Sequence, residues 1–321
     1  VRITTHDAVA GYWTLPEDGY SVEVPAKPPK MTYLPAERRA QILLGAMLAR
    51  FRVEPIVDDQ SNVTGARLRV DDHVICKLEK PTTATITEQC QWLRAYADLR
   101  DDRAHEIVLQ IDDIVTTFSG VRPFDTKDRE ETAHLVDIVQ DLAIFLEMQV
   151  KNYCFTPRPS EFGERLQPMI DTPDHSAFPS GHATESFAIA AFLARIEREE
   201  KPSTAIANGR QVFDVAHRIA VNRSVAGVHY PIDSASGAAL GCAIGNAVAA
   251  LATGTNLLRY DFDPNKPDMG SAAGSGTDFN RANMAEVVSS HKDEAPTISQ
   301  VPLLGEVWSR AAAKWPNRGE S

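Results

Sequence analysis

The sequence has little cysteine, no long strongly apolar run and a deficit of positive charge. Cysteine occurs only four times in 321 residues, at Cys76, Cys90, Cys154 and Cys242. These stand far apart with no CxxC pair, which excludes zinc-finger spacing and favours four buried thiols over a disulfide framework. No stretch of about 18–20 strongly apolar residues occurs. The nearest, 234–258, carries no charge, is rich in Ala, Gly and Ser, and holds Asn246. That composition fits a buried helix better than a membrane span. The first eleven residues lack the apolar core of a secretion signal; a leader cleaved upstream would leave the same sequence, so the compartment stays open. Lys and Arg number 33 against 44 Asp and Glu, a net charge of −11. Such a chain is a poor non-specific ligand for nucleic acid. Any anion it binds has to be held by a few local cations against the global field. The chain does have material for a core: 43% of residues are hydrophobic and 24% charged, outside the disordered range.

Hydrophobic periodicity predicts a mainly α-helical chain. Residues 1–35, rich in Pro and turn formers, are expected to form an extended arm. A helix is expected over 36–51, with Ile42, Leu43, Met47 and Leu48 on one side. Alternation at Val63, Ala66, Leu68 and Val70, then Val74, Cys76 and Leu78, predicts a β-hairpin over 63–79 turning at Asp71-Asp72. Helical patterns follow at 87–113 and 129–153, the second with an apolar stripe through Leu135, Ile138, Val139, Leu142, Phe145, Leu146 and Val150. Pro157 and Pro159 are expected to exclude helix, with a loop running to Pro179. Ser180 is a candidate N-cap for a helix over 181–199. Further helices are expected from Ser203 or Thr204 to 228, over 233–252, and over 303–314. The tract 270–276 is Gly/Ser-rich, and no internal repeat is seen. One catalytic domain over 36–258 and a C-terminal loop with a short helix over 259–321 follow from this pattern.

Three segments carry chemistry. Lys151 closes the long helix, and Arg158-Pro159 follows seven residues later. Taken alone, this is a capping charge and a surface arginine. Pro179-Ser180-Gly181-His182 sets a Ser cap and a Gly at a helix start, where free N–H groups form an anion cradle. A merely capped helix with a partly exposed His reads equally well. Arg223, then His229-Tyr230-Pro231 and Asp233, sets a His four residues before a carboxylate. That carboxylate can accept from Nδ1 and free Nε2 as nucleophile or ligand, or simply cap the next helix.

Together, Lys151, Arg158, Pro159, Pro179, Ser180, Gly181, His182, Arg223, His229 and Asp233 resemble the signature of the phosphatidic acid phosphatase type 2 (PAP2) and vanadium haloperoxidase superfamily, KxxxxxxRP…PSGH…RxxxxxHxxxD. The resemblance spans 151–233. It departs at Asn222, where the family usually has Ser; Asn also donates hydrogen bonds. The resemblance implies a helical bundle of the vanadium haloperoxidase or acid phosphatase type, with a small N-terminal β-hairpin, holding an oxyanion. It implies that Lys151, Arg158 and Arg223 neutralise the oxygens, and that Ser180 and Gly181 donate hydrogen bonds. It further implies that His229 attacks phosphorus or binds vanadium, that His182 is the general acid/base, and that Asp233 orients His229. Three cations and a helix N-terminus around one anion suit such chemistry on physical grounds.

Vanadate and phosphate share shape and charge, so the flanks have to choose between two activities. With no run long enough for the several spans of the membrane phosphatases, a soluble enzyme is expected. His175, in Asp174-His175-Ser-Ala-Phe-Pro179, resembles the position where bromoperoxidases carry a His; an exposed loop His is the competing reading. Arg158-Pro-Ser-Glu161 resembles the bacterial haloperoxidase-like proteins, while Met148 does not match the tryptophan typical of chloroperoxidases. The sequence expectation is therefore a vanadium-dependent haloperoxidase, oxidising bromide with hydrogen peroxide at His229-bound vanadate and acting on a small organic substrate. The alternative is a soluble acid phosphatase working through a phosphohistidine, with phosphate in the same site. A catalytically dead scaffold is disfavoured, because Arg158, His182 and His229 are all present. Nucleic acid and a membrane span are not expected as partners, and a homodimer is left open.

Overall fold

The computed structural model describes residues 31–163, 166–266, 278–290 and 296–315. Most of the arm expected over 1–35, and the Gly/Ser tract 270–276, lie outside the described residues. Within the first 33 residues, Met31–Tyr33 form one 3-10 turn. From Leu34 onward the chain is a single compact unit.

The chain runs α1 (Ala36–Leu48), β1 (Phe51–Val57), β2 (Val63–Val70), β3 (His73–Glu79), α2 (Thr83–Tyr96), α3 (Arg100–Leu109), α4 (Val115–Ser119), α5 (Glu130–Tyr153) and α6 (Pro159–Phe162). It continues through α7 (Gly181–Arg198), α8 (Pro202–Ala207), α9 (Gln211–Val225), α10 (Pro231–Thr253), β4 (Tyr260–Phe262), α11 (Met284–Val287) and α12 (Pro302–Ala312). The protein is mostly helical with a small sheet on its N-terminal side.

The expected hairpin is present: Val70 pairs with His73 across Asp71-Asp72, with Asp71 at φ +50°. The sheet is larger than expected, in the order β1-β2-β3-β4, antiparallel except for β3 with β4. Pro55 obscures β1 in the sequence, and β1 is an edge strand, where a missing N–H is tolerated. Strand β4 is three residues long, too short for any period to show.

Two expected helices are each divided. The stretch 87–113 forms α2 and α3 with a 3-10 turn at Ala97–Leu99 between them. The stretch 203–228 breaks between α8 and α9 at Gly209, whose φ of +68° no helix interior allows. Two residues counted on apolar stripes face outward instead, Ile42 at 40% and Phe145 at 52% exposure.

The bundle is organised by α10. Every residue from Pro231 to Ala252 is buried, which explains its uniformly apolar composition without a bilayer. Among the described residues it is the one helix long and apolar enough to cross a membrane, and it is wholly enclosed in protein. Gly237, Gly241 and Gly245 recur every four residues on the face it turns to α7. Cβ atoms there would strike the carbonyls of Ser180, Thr184 and Ala188. This close approach fixes the N-terminus of α7 against the start of α10, where Ser180 N–H donates to Asp233 O at 2.9 Å. Helices α5 and α9 pack on the other sides of α7. The four cysteines are free thiols, three buried and Cys90 half-buried.

Candidate active site

The three chemical segments converge on a cavity of about 620 Å³ lined by Arg158, Gly181, His182, Arg223 and His229, together with Glu147, His175 and Glu185. This is the size of an ordinary small-molecule site.

His229 follows the end of α9, and Asp233 lies in the first turn of α10. The pair is 3.2 Å apart, Nδ1 to Oδ2, and that oxygen also accepts from Tyr230 N–H at 2.9 Å. On the other side of the ring, Arg158 Nη1 lies 3.0 Å from His229 Nε2. A guanidinium only donates, so Nε2 is the acceptor and the ring proton sits on Nδ1, facing Asp233. Burial, then the charges of Arg158 and Lys151, push the His229 pKa well below its usual value. The ring is neutral with its Nε2 lone pair on the cavity side, the form a nucleophile requires. Asp233 is itself raised by burial, against the opposing pull of Tyr230 N–H, Lys151 and Arg158.

Arg158 is 1% exposed. Its Nε donates to His175 O at 2.9 Å, its Nη1 to Val228 O at 2.9 Å, and its Nη2 to His175 Nδ1 at 3.1 Å. His175 thus holds Arg158 with both backbone and ring while lining the cavity, so it is not the free loop His of the competing sequence reading. Arg223 donates through Nη2 to Ile107 O and Gln110 Oε1, at 3.1 and 3.2 Å. Its buried Nε has no partner among the described residues. A buried guanidinium N–H without an acceptor, on a cavity wall, is a place for an anion oxygen.

Lys151 ends α5. Its Nζ donates to Ser176 O at 3.1 Å and to Pro179 O, tying the 176–179 loop to α5. It stands behind that loop rather than in the cavity lining, and acts on the cavity as a nearby charge. Ser180 caps α7, its Oγ accepting from Ala183 N–H. The Gly181 and His182 N–H groups head the helix with no intrahelical acceptor. His182 donates Nε2–H to Gln110 O at 2.7 Å, since a carbonyl only accepts. Its Nδ1 is then the basic atom. Burial and then Arg223 push its pKa down to about 3, so it rests neutral.

Residues 138–256 match the model of the PAP2 superfamily. The chain contains a PAP2 superfamily domain. All ten signature residues fall inside the matched stretch. A decaprenylphosphoryl-5-phosphoribose phosphatase of Mycobacterium tuberculosis, matched in two strains, is 33% identical over 90 residues, 28% of this chain and 45% of its own length. The chain thus spans about half the length of these curated relatives. Among solved structures, a transmembrane PAP2 type phosphatidylglycerolphosphate phosphatase from Bacillus subtilis aligns over 51% of this chain and 84% of its own, at 20% identity and a TM-score of 0.35.

Three residues around the cavity escape a motif search. Gln110 holds Arg223 with its side chain and His182 with its carbonyl. Glu147 and Glu185 add two carboxyls to the wall. Glu147 leaves a signal in the sequence: it is a charge on the apolar face of α5, one turn before Lys151. Gln110 leaves none, because its role comes from α3 packing on α9.

Proposed function

We propose that the protein is a phosphatase that cleaves phosphomonoesters through a phosphohistidine at His229. The observation that carries this is the state of His229: proton on Nδ1 toward Asp233, lone pair on Nε2 toward Arg158 and the cavity. The curated relatives, both phosphatases by name, tip the balance away from the haloperoxidase expectation.

The steps follow from the residues. The phosphoryl group enters with its oxygens toward Arg223 Nε, the Gly181 N–H and the Ser180 hydroxyl. Arg158 Nη1 shifts from His229 Nε2 to a phosphoryl oxygen, which frees the lone pair. Nε2 then attacks phosphorus, the P–O bond to the alcohol breaks, and the electron pair leaves with the alkoxide. His182, which takes up a proton from solvent at Nδ1 as the substrate binds, passes that proton to the alkoxide. A dianion in the cavity opposes the effects of burial and Arg223, so His182 gains proton affinity as substrate binds. In the second half, His182 Nδ1 takes a proton from water, the water oxygen attacks phosphorus, and the P–N bond breaks to return His229. Asp233 stabilises the positive charge that develops on the ring in both halves.

Three exposed side chains of the cavity lining are apolar. These, Ile111, Ile144 and Met148, are 48%, 40% and 39% exposed. An ester whose alcohol part carries an apolar group would bury these side chains, in keeping with the decaprenyl group in the relatives' name.

Vanadate fits the same donors. The unpartnered Arg223 Nε, Gly181, Ser180, Arg158 and His229 would hold it, and when bound it would supply Lewis-acid activation of peroxide. Two assays on one sample separate the activities. Phosphomonoester hydrolysis without vanadate is expected, fastest for long-chain alcohols. Bromination of a phenol dye with vanadate and peroxide, without hydrolysis, would overturn the phosphatase reading.

A further inference from the structure

A buried carboxyl stands at the head of the anion cradle, and the mechanism above does not use it. Glu147 is 4% exposed, and its Oε2 has no hydrogen-bond partner among the described residues. It lines the cavity with Gly181, His182 and Arg223. Its Oε1 lies 2.5 Å from where a Cβ on residue 181 would stand, so the glycine lets this carboxyl rest against the helix N-terminus, and a larger residue would push it aside. An oxyanion held on the Gly181 N–H therefore lies beside the Glu147 carboxyl.

We propose that Glu147 shares one proton with the bound oxyanion, so that the site discriminates oxyanions by whether they carry a proton. The proposal rests on the reading of this cavity as a phosphoryl site. Two like charges in a dry pocket cannot both persist. Glu147 either donates its own proton to a fully ionised oxygen or accepts one from a protonated anion.

The groups facing it are Lys151 on its own helix, Glu185 and His182 on α7, Arg158 ahead of α6, and Arg223 and His229 across the cavity. Glu185 accepts from Gln140 Nε2 at 2.8 Å and is raised by burial. Burial pushes Glu147 up to about 8, against the pull of Lys151 and with the push of Glu185. Near neutral pH Glu147 is thus a hydrogen-bond donor. Burial also lowers Lys151, so anion binding weakens at alkaline pH for every anion alike, and a ratio of two anions cancels that loss.

Sulfate and inorganic phosphate are the probes. Sulfate carries no proton above acid pH, whereas hydrogen phosphate keeps one. Calorimetric affinities for both are measured on the whole chain at pH 6 and pH 9, with phosphate counted as its dianion alone, because its second ionisation falls between the two. The phosphate-over-sulfate preference is expected to rise about tenfold between them. Sulfate binding at pH 9 should take up one proton, read from buffers of different ionisation enthalpy. In Glu147→Gln, whose amide donates at any pH, the preference should be flat and the extra uptake absent. A wild-type ratio unchanged from pH 6 to 9 overturns the proposal whether or not the variant folds. If neither anion binds, the phosphoryl-site reading falls with it. If both bind with a flat ratio, only the role of Glu147 falls.

Discussion

The proton on His229 is set by its two neighbours. Asp233 Oδ2 can only accept and Arg158 can only donate, so the ring has one consistent tautomer. Nitrogen-15 NMR of the imidazoles should show His229 protonated at Nδ1 and bare at Nε2 from pH 6 to 8. An Nε2-protonated ring would refute the nucleophile assignment. His229→Ala should abolish turnover. Asp233→Asn keeps the shape but removes the negative charge that steadies the cationic ring, and should cut kcat by about 100-fold to 10,000-fold. His182→Ala should lower kcat over a similar range while phosphate still binds, because Arg158, Arg223 and the α7 N-terminus remain. Calorimetric titration with phosphate alongside the kinetics separates the two histidines. If His182→Ala lost phosphate binding and His229→Ala kept turnover, the roles would be reversed.

Between elements, the position of Arg223 depends on a polar joint between α3 and α9. Glu106 pairs with Arg218 through both oxygens, at 2.7 and 2.8 Å. Asn222 Nδ2 donates to Glu106 and Gln110, each at 3.0 Å, and its Oδ1 accepts from Arg103 at 3.1 Å. The departure from the usual Ser before Arg223 is thereby explained: a hydroxyl has one proton to donate, and Asn222 serves two acceptors at once. Asn222→Leu should destabilise the fold by about 1–3 kcal/mol through the buried groups left unpaired, and should lower kcat/KM by loosening Arg223. The joint also responds to acid. The Arg218 hydrogen bond, ahead of the one from Asn222, holds the Glu106 pKa down to about 2. A lowered folded-state value means that this stability is full above the usual carboxylate range and is lost as pH falls toward 2. Urea unfolding at pH 6 and pH 3 should show a smaller acid loss in Glu106→Gln than in the wild type; equal losses would remove the joint from the acid response. On the α7–α10 contact, Gly241→Val would drive methyls into the Thr184 carbonyl. A cost of at least about 1–3 kcal/mol in unfolding free energy is expected.

Across the whole molecule, the net charge of −11 opposes an anionic substrate. The local arrangement reverses this by burying Lys151, Arg158 and Arg223 at 1% exposure each. Like charges gathered in a dry interior destabilise the fold, so an anion among them should stabilise it. Phosphate or vanadate at 100 times its dissociation constant is expected to add about 2.7 kcal/mol of stability, seen as a raised Tm. The two should compete for one site, and vanadate should inhibit phosphomonoester hydrolysis. Stabilisation by both that is additive rather than competitive would mean two sites.

Much of this protein is determined by its sequence alone. The ten signature residues carry their chemistry in their side chains and spacing, so Lys151, Arg158, His182, Arg223, His229 and Asp233 could be singled out before any fold was known. Long helices such as α5 and α10 declare themselves by a repeated apolar face or by uniform apolarity, because the period persists over many turns. Tertiary structure decided the rest, since those features are set by neighbours remote in sequence. Pairing with β2 makes β1 a strand despite Pro55, and β3 does the same for the three residues of β4. Arg158 settles the tautomer of His229, 71 residues away. Gln110 meets Arg223 from 113 residues away. Glu147 becomes part of the site only because α7 brings Gly181 onto its carboxyl, an approach no local pattern encodes.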